Sequence, residues 1–143
     1  MLNQLLVGGL VGGLSIAIHV VFIVSAIAVL RRSRSLIPHM LLPFKVLIRL
    51  VAVTMWLLAG LTVCVFVWAA LFSILGLFET FEASTYFAIV AFTTLGFGDV
   101  LLPEDWRLLA GICAAVGLML FGLSTAFLFE VFSRILRATG RFD

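Results

Sequence analysis

The chain has 143 residues, of which 64% are apolar and only 11% charged. A water-soluble fold of this size cannot bury that much apolar surface, so a lipid bilayer is the solvent that fits the composition. The net charge of +2 is too small to suggest nucleic acid as a partner. The Lys and Arg residues cluster beside apolar runs, which favours anionic lipid headgroups as their partners.

The first apolar run, Leu5 to Leu30, carries no charge. As a helix it reaches roughly 39 Å, more than a hydrocarbon core of roughly 30 Å. It lacks a basic start and a small-residue cleavage site, so it reads as a span rather than a leader. Residues 1–30 therefore form an extra N-terminal membrane helix. Gly8, Gly9, Gly12 and Gly13 repeat small residues four apart, which predicts a packing surface, expected to face the second span. His19 lies near the middle, where an ionisable group is a functional candidate. It can sense pH or hold a structural bond to a neighbour such as Ser15, and the structural role is the favoured one.

A basic linker follows over residues 31–49, with Arg31, Arg32, Arg34, Lys45 and Arg49. Pro38 and Pro43 are expected to break any continuous helix there. Lys45 and Arg49 stand one turn apart, which suits either a short interfacial helix or a solvated loop. The second span, Leu50 to Phe78, is uncharged and reaches roughly 43 Å. The loop from Glu79 to Arg107 carries Glu79, Glu82, Asp99, Glu104 and Asp105 against one Arg. Its apolar part from Ala83 to Thr93 is too short to cross a membrane and reads as a re-entrant helix of about three turns. The third span, Leu108 to Phe129, reaches roughly 33 Å. It sits in an inner helix expected over residues 107–133, followed by a short tail at 138–143.

Positive residues mark the cytoplasmic side. The linker arginines, and Arg134, Arg137 and Arg141, are thus expected inside, with the acidic loop outside. That puts the N-terminus outside and the C-terminus in the cytoplasm. Arg31, Arg32 and Arg34 sit at a span end rather than at every third position within one, so no voltage-sensing pattern is present. The loop acids have no converging Ser, His or Cys, so the chain does not read as an enzyme. Cys64 and Cys113 lie inside apolar runs and read as buried thiols, with neither metal spacing nor a disulfide framework.

The chemistry concentrates in Thr93-Thr94-Leu95-Gly96-Phe97-Gly98-Asp99. Glycine takes positive φ without steric cost, so Gly96 and Gly98 permit a backbone of alternating handedness. Such a backbone turns successive carbonyls toward one axis, where they can replace the water around a cation. A hydroxyl from Thr94 adds an oxygen at the inner end. The preceding helix directs its partly negative C-terminus toward the same place.

Thr94-Leu95-Gly96-Phe97-Gly98-Asp99 resembles the potassium-channel signature TVGYGD, and the stretch from Tyr86 to Asp99 is similar to the pore loops of two-pore-domain and small bacterial potassium channels. The resemblance implies an all-α membrane protein: a pore domain over 50–137 with outer helix 50–78, pore helix 83–93, filter 94–99 and inner helix 107–133. Three membrane helices and the re-entrant pore loop would assemble as a fourfold-symmetric homotetramer in a bacterial plasma membrane. It implies K+ coordination by Thr94, Leu95, Gly96 and Phe97, with Gly98 at the outer mouth and Tyr86 and Asp99 supporting the filter. No cofactor is implied beyond permeant K+. The nucleotide-binding alternative for the glycines lacks a preceding strand.

The pattern departs from the family at four places. Leu95 stands for a β-branched residue, Phe97 for tyrosine, and Ala91 for a common threonine. Val90 stands where some channels carry a glutamate that pairs with the filter aspartate. Tyr86 is then expected to donate a hydrogen bond to Asp99, the alternative being an interfacial anchor. Gly117 matches the family's hinge glycine, and close helix packing is its competing role. Gly122 and Phe127 complete the gate candidates, with Phe129, Val131 and Phe132 also placed to narrow the inner mouth. Glu130 either attracts cations or pairs with Arg134. Two other functions stay open: a weakly selective cation channel, and a non-conducting membrane assembly subunit.

Overall fold

The computed structural model describes residues 1–32 and 42–138. Four α-helices follow in order: α1 (Leu2–Arg32), α2 (Leu42–Ile74), α3 (Phe81–Phe92) and α4 (Arg107–Ala138), with a short 3-10 turn at Glu104–Trp106 before α4. No strand occurs among the described residues. Three of the helices are long and apolar enough to cross a membrane, and α3 is a shorter apolar helix. The expected break at Pro38, Arg34, and the tail beyond Ala138 lie outside the described residues.

Local chemistry sets the helix ends and moves several expected boundaries. Pro43 does not interrupt α2, because it falls in the first helical turn, where a proline's missing N–H costs nothing. Lys45 and Arg49 accordingly belong to the opening turns of α2, and no separate interfacial helix or loop exists at 42–49. α2 also stops before Phe78. Gly76, at φ +65°, turns the chain, its N–H bonding Ser73 O at 3.0 Å while Leu77 N–H bonds Phe72 O at 3.1 Å. This is a Schellman cap with glycine at the left-handed position. α3 begins two residues earlier than expected because Thr80 caps it, its hydroxyl accepting from Ala83 N–H at 3.1 Å. α4 continues past residue 133 through good helix formers, held on its surface by the Glu130–Arg134 ion pair one turn apart.

The packing fixes the helix directions. Gln4 meets Leu108, a side chain at Gly8 would meet Ile112, one at Gly12 would meet Val116, and His19 meets Ser124. The numbers rise together, so α1 and α4 run parallel. Ser15 meets Cys64 and Phe22 meets Gly60, so α1 and α2 run antiparallel. The starts of α1 and α4 and the end of α2 therefore share one end of the bundle with the acidic loop. Arg31, Arg32, Arg49, Arg134 and Arg137 share the other. The glycine surface of α1 faces α4 rather than the second span: at Gly8 and Gly12 the space is filled by Leu109, Ile112 and Val116, while Gly9 and Gly13 have open space.

The core joins α2, α3 and α4 around Trp68, Phe72, Phe87, Phe92, Leu109 and Leu120. Phe72 meets Phe87 edge-on at 5.3 Å, and Phe92 meets Phe121 at 6.1 Å. In lipid, apolar burial between helices gains little over burial against acyl chains, so close contacts and interhelical hydrogen bonds decide the arrangement.

Candidate functional site

The Thr94–Asp99 segment lies between α3 and the start of α4. Its conformation begins with how α3 ends. Thr94 N–H bonds Ala91 O at 3.0 Å and Leu95 N–H bonds Val90 O at 3.0 Å. These two bonds repeat the Schellman pattern that closes α2, but the left-handed position holds Thr94, at φ +60°, instead of a glycine. A β-branched residue with positive φ is rare and costs roughly 1–2 kcal/mol. Gly96 at +59° and Gly98 at +78° follow, so positive φ recurs at every second residue from 94 to 98. Alternation of this kind turns consecutive carbonyls to one side of the strand. A Cβ at Gly96 or Gly98 would meet nothing within 4 Å, so the backbone angle, not crowding, calls for glycine there.

All six residues from Thr94 to Asp99 are exposed in the single chain, with Leu95 at 58% and Phe97 at 65%. An open groove of about 430 Å³ runs behind the strand, bounded by Val90, Thr94, Gly96, Gly98, Ala110 and Ala114. One side-chain bond ties the strand back to α3: Tyr86 Oη donates to Asp99 Oδ2 at 2.6 Å. The bond raises the Tyr86 pKa, because a donated proton is held more tightly, and lowers that of Asp99, because its carboxylate is stabilised. Thr93, by contrast, spends its hydroxyl inside the helix, on Ile89 O.

The end of α3 sits deep in the bundle. A Cβ on Gly117 would lie 1.9 Å from Phe92 O, so the α4 backbone passes directly against the last carbonyl of α3. Gly117 is ten residues into α4, about 15 Å from its start. The packing role expected for this glycine is thus present, and it leaves no space for even a methyl group. Gly122 has no neighbour within 4 Å of a built Cβ, and Phe127 is half-buried. Phe129 and Phe132 are exposed, whereas Val131 is buried within the single chain. Glu130 is paired with Arg134, and Glu104 with Arg107 at 3.1 Å, both on exposed surface.

Two polar contacts of α1 with α4 and one backbone angle are among the features that escaped the sequence reading. Gln4 is buried, donates to Asp105 O and accepts from Leu108 N–H at 3.1 Å, so α1 caps the start of α4. His19 is fully buried, and its partner is Ser124, at 2.8 Å, not Ser15, whose hydroxyl bonds Val11 O. The reason is directional: Ser15 sits on the same helix as His19, whereas Ser124 faces His19 across the α1–α4 contact. Thr94 took a left-handed angle that only the glycines were expected to need. Isolated polar residues in apolar runs, Gln4 and Ser124 among them, are the signal that marks such partners, though not who pairs with whom.

Among groups of His, Cys, Asp and Glu in the described residues, none is arranged to hold a metal ion through side chains. Chemically, the segment offers backbone oxygens along one strand, one threonine hydroxyl and a carboxylate at the outer end. Comparison with curated proteins and with solved structures gives no match. A family profile described as ion channel matches residues 51–134, more than half of the chain, and spans α2, α3, the Thr94–Asp99 segment and most of α4. The chain belongs to this ion channel family.

Proposed function

We propose that the protein is one subunit of a homotetrameric, potassium-selective channel that conducts K+ passively, with Thr94, Leu95, Gly96 and Phe97 coordinating the ion through their carbonyls. The observation that carries this reading is the run of positive φ at Thr94, Gly96 and Gly98. A strand of that handedness presents a column of carbonyls to one axis. One chain supplies one strand, and a cation needs oxygens on all sides, so cyclic symmetry completes the site. The exposure of Leu95 and Phe97 supports this, because large apolar side chains beside an open groove are surfaces for a neighbouring copy to cover.

In this reading α3 is the re-entrant pore helix. The segment from Leu75 to Pro103 leaves and returns at the same end of the bundle, and its inner turn reaches Gly117. The acidic end faces outward and raises the cation concentration at the mouth. The arginine end faces the cytoplasm and the anionic headgroups.

The decisive measurement is bilayer recording from the purified protein under opposed potassium and sodium gradients, with and without barium. A reversal potential near that of potassium and block by barium are expected. A reversal near zero would replace potassium selectivity with weak cation selectivity, which Leu95 and Phe97 make the competing outcome. Absence of current from correctly assembled protein would leave a non-conducting subunit.

A further inference from the structure

The helix α1 lies outside the family match, yet hydrogen bonds join it to both long helices of the pore. Toward α2, Trp56 Nε1–H is shared between Ser25 Oγ at 2.9 Å and Phe22 O at 3.1 Å, and Cys64 Sγ–H donates to Ser15 O at 3.3 Å. Toward α4, Gln4 holds the first turn, and His19 meets Ser124 fifteen residues further along α1. Between these two points Gly8 and Gly12 let α4 come close. α1 is thus fastened to α2 and to α4 at separate heights.

The His19 contact has a defined polarity. Ser124 donates its hydroxyl proton to Leu120 O at 2.8 Å. Its oxygen then accepts from His19, so Nε2 is the donor in this contact. Nδ1 is buried with no partner. An aliphatic side chain would fill the same space without an unpartnered nitrogen. What the imidazole adds is a directional bond that selects one register of α1 on α4. The bond falls just beyond Gly122, where α4 has no side chain and nothing packed against that position. Ser124 therefore marks where the C-terminal half of α4 is held.

We infer that α1 is a strut that sets the position of the C-terminal half of α4, and that His19 is the positioning residue through which it does so. The link to channel opening rests on the proposed function; the mechanical link between α1 and α4 does not. With the bond intact, the end of α4 moves with α1 and, through Trp56 and Cys64, with α2. With the bond removed, α4 loses this fastening beyond Gly122 and bends there more readily.

The test uses the full chain, reconstituted, with His19→Leu, His19→Gln, Ser124→Ala and the His19→Leu/Ser124→Ala pair. Leucine keeps the bulk and loses the donor, while glutamine places an amide N–H near the position of Nε2. His19→Leu and Ser124→Ala are expected to shift open probability in the same direction, by about threefold per subunit for a lost interhelical bond. The pair should shift it no further than one alone. His19→Gln should stay near the native value, and reversal potential and unit conductance should not change. Additive effects, no shift, or glutamine behaving as leucine would overturn the strut.

A second readout needs no current. Spin labels at Arg32→Cys and Arg137→Cys, with the buried Cys64 and Cys113 kept native and the labelled chain diluted into unlabelled protein, report the distance between the ends of α1 and α4. One narrow distribution is expected for the native pair and for His19→Gln, and a broadened one for His19→Leu and Ser124→Ala. An unchanged distribution sinks the strut even if currents are potassium-selective. A silent native protein with broadened variants sinks the channel reading and keeps the strut.

Discussion

Tyr86 and Asp99 show how a single side-chain bond carries consequences outside the core. The hydroxyl and the carboxylate are both at the surface of the single chain, at the acidic end. The pKa of Asp99 is depressed below its ordinary 3.8, so its contribution is fully present above that value and is lost as pH falls through the lower folded value. The pKa of Tyr86 is raised above 10.0, so its contribution is present below that value and is lost only as pH rises through the higher one. Changing pH between about 5 and 9 should therefore leave the bond, and under the proposed function the rate of current decay, unaltered. Tyr86→Phe removes the donor at every pH. Faster current decay with an unchanged reversal potential is expected, and recordings with equal decay in the two proteins would show that Tyr86 is only an anchor. Thr94 is the other residue of interest at this scale. It occupies a left-handed position that Gly76 fills at the equivalent place in α2, and it keeps a hydroxyl that glycine cannot supply. Strain tolerated at a position with such a group is typical of functional sites.

At the scale of elements, two glycines on α4 that look alike in sequence differ in what surrounds them. Gly117 meets the Phe92 carbonyl and Gly122 meets nothing. Gly117→Ala must push α3 and α4 apart, because 1.9 Å is far inside contact distance and the obstacle is backbone. A loss of about 1–3 kcal/mol is expected, measured as a lower unfolding temperature of the assembled protein. Gly122→Ala meets no obstacle and gains up to about 1 kcal/mol of helix propensity. A mutation at Gly117 therefore cannot test a hinge by itself, since it disturbs the seat of α3 first. The two caps illustrate the same distinction. The end of α2 was legible in principle from Gly76, but the end of α3 uses a threonine, which propensity assigns to neither a C-cap nor a left-handed angle.

At the scale of the whole molecule, α1 lies parallel to α4 and antiparallel to α2, which separates the acidic end from the basic end. Gly12→Leu would force α1 off α4, since even a Cβ there falls 2.9 Å from Val116 Cγ2, whereas Gly13→Leu enters open space. Thermal unfolding in detergent should show a loss of roughly 1–3 kcal/mol for the first and little change for the second. Equal effects would mean that both glycines face protein in the assembly. Phe72 on α2 meets Phe87 on α3 edge-on, with Trp68 tilted against Phe72, and the α3–α4 contact at Gly117 completes the seat of α3. α3 is thus wedged between two long helices that α1 in turn ties together.

The three long apolar runs, the short helix between the second and third, and the alternate glycines at 96 and 98 were legible in the linear sequence. Each follows from local rules: apolar length sets a span, and a missing Cβ permits a positive φ. The ends of α1, α2 and α4 were legible only in part, because Pro43 is harmless at a helix start and damaging elsewhere, and position within the helix decides which. Tertiary structure alone determined that Gly8 and Gly12 face α4, that His19 bonds Ser124, that Gln4 caps α4 and that Gly117 receives the Phe92 carbonyl. The partners in these contacts stand 25 to 105 residues apart. Polarity and size can show that a residue needs a partner inside a membrane, but only the register between helices says which one it meets.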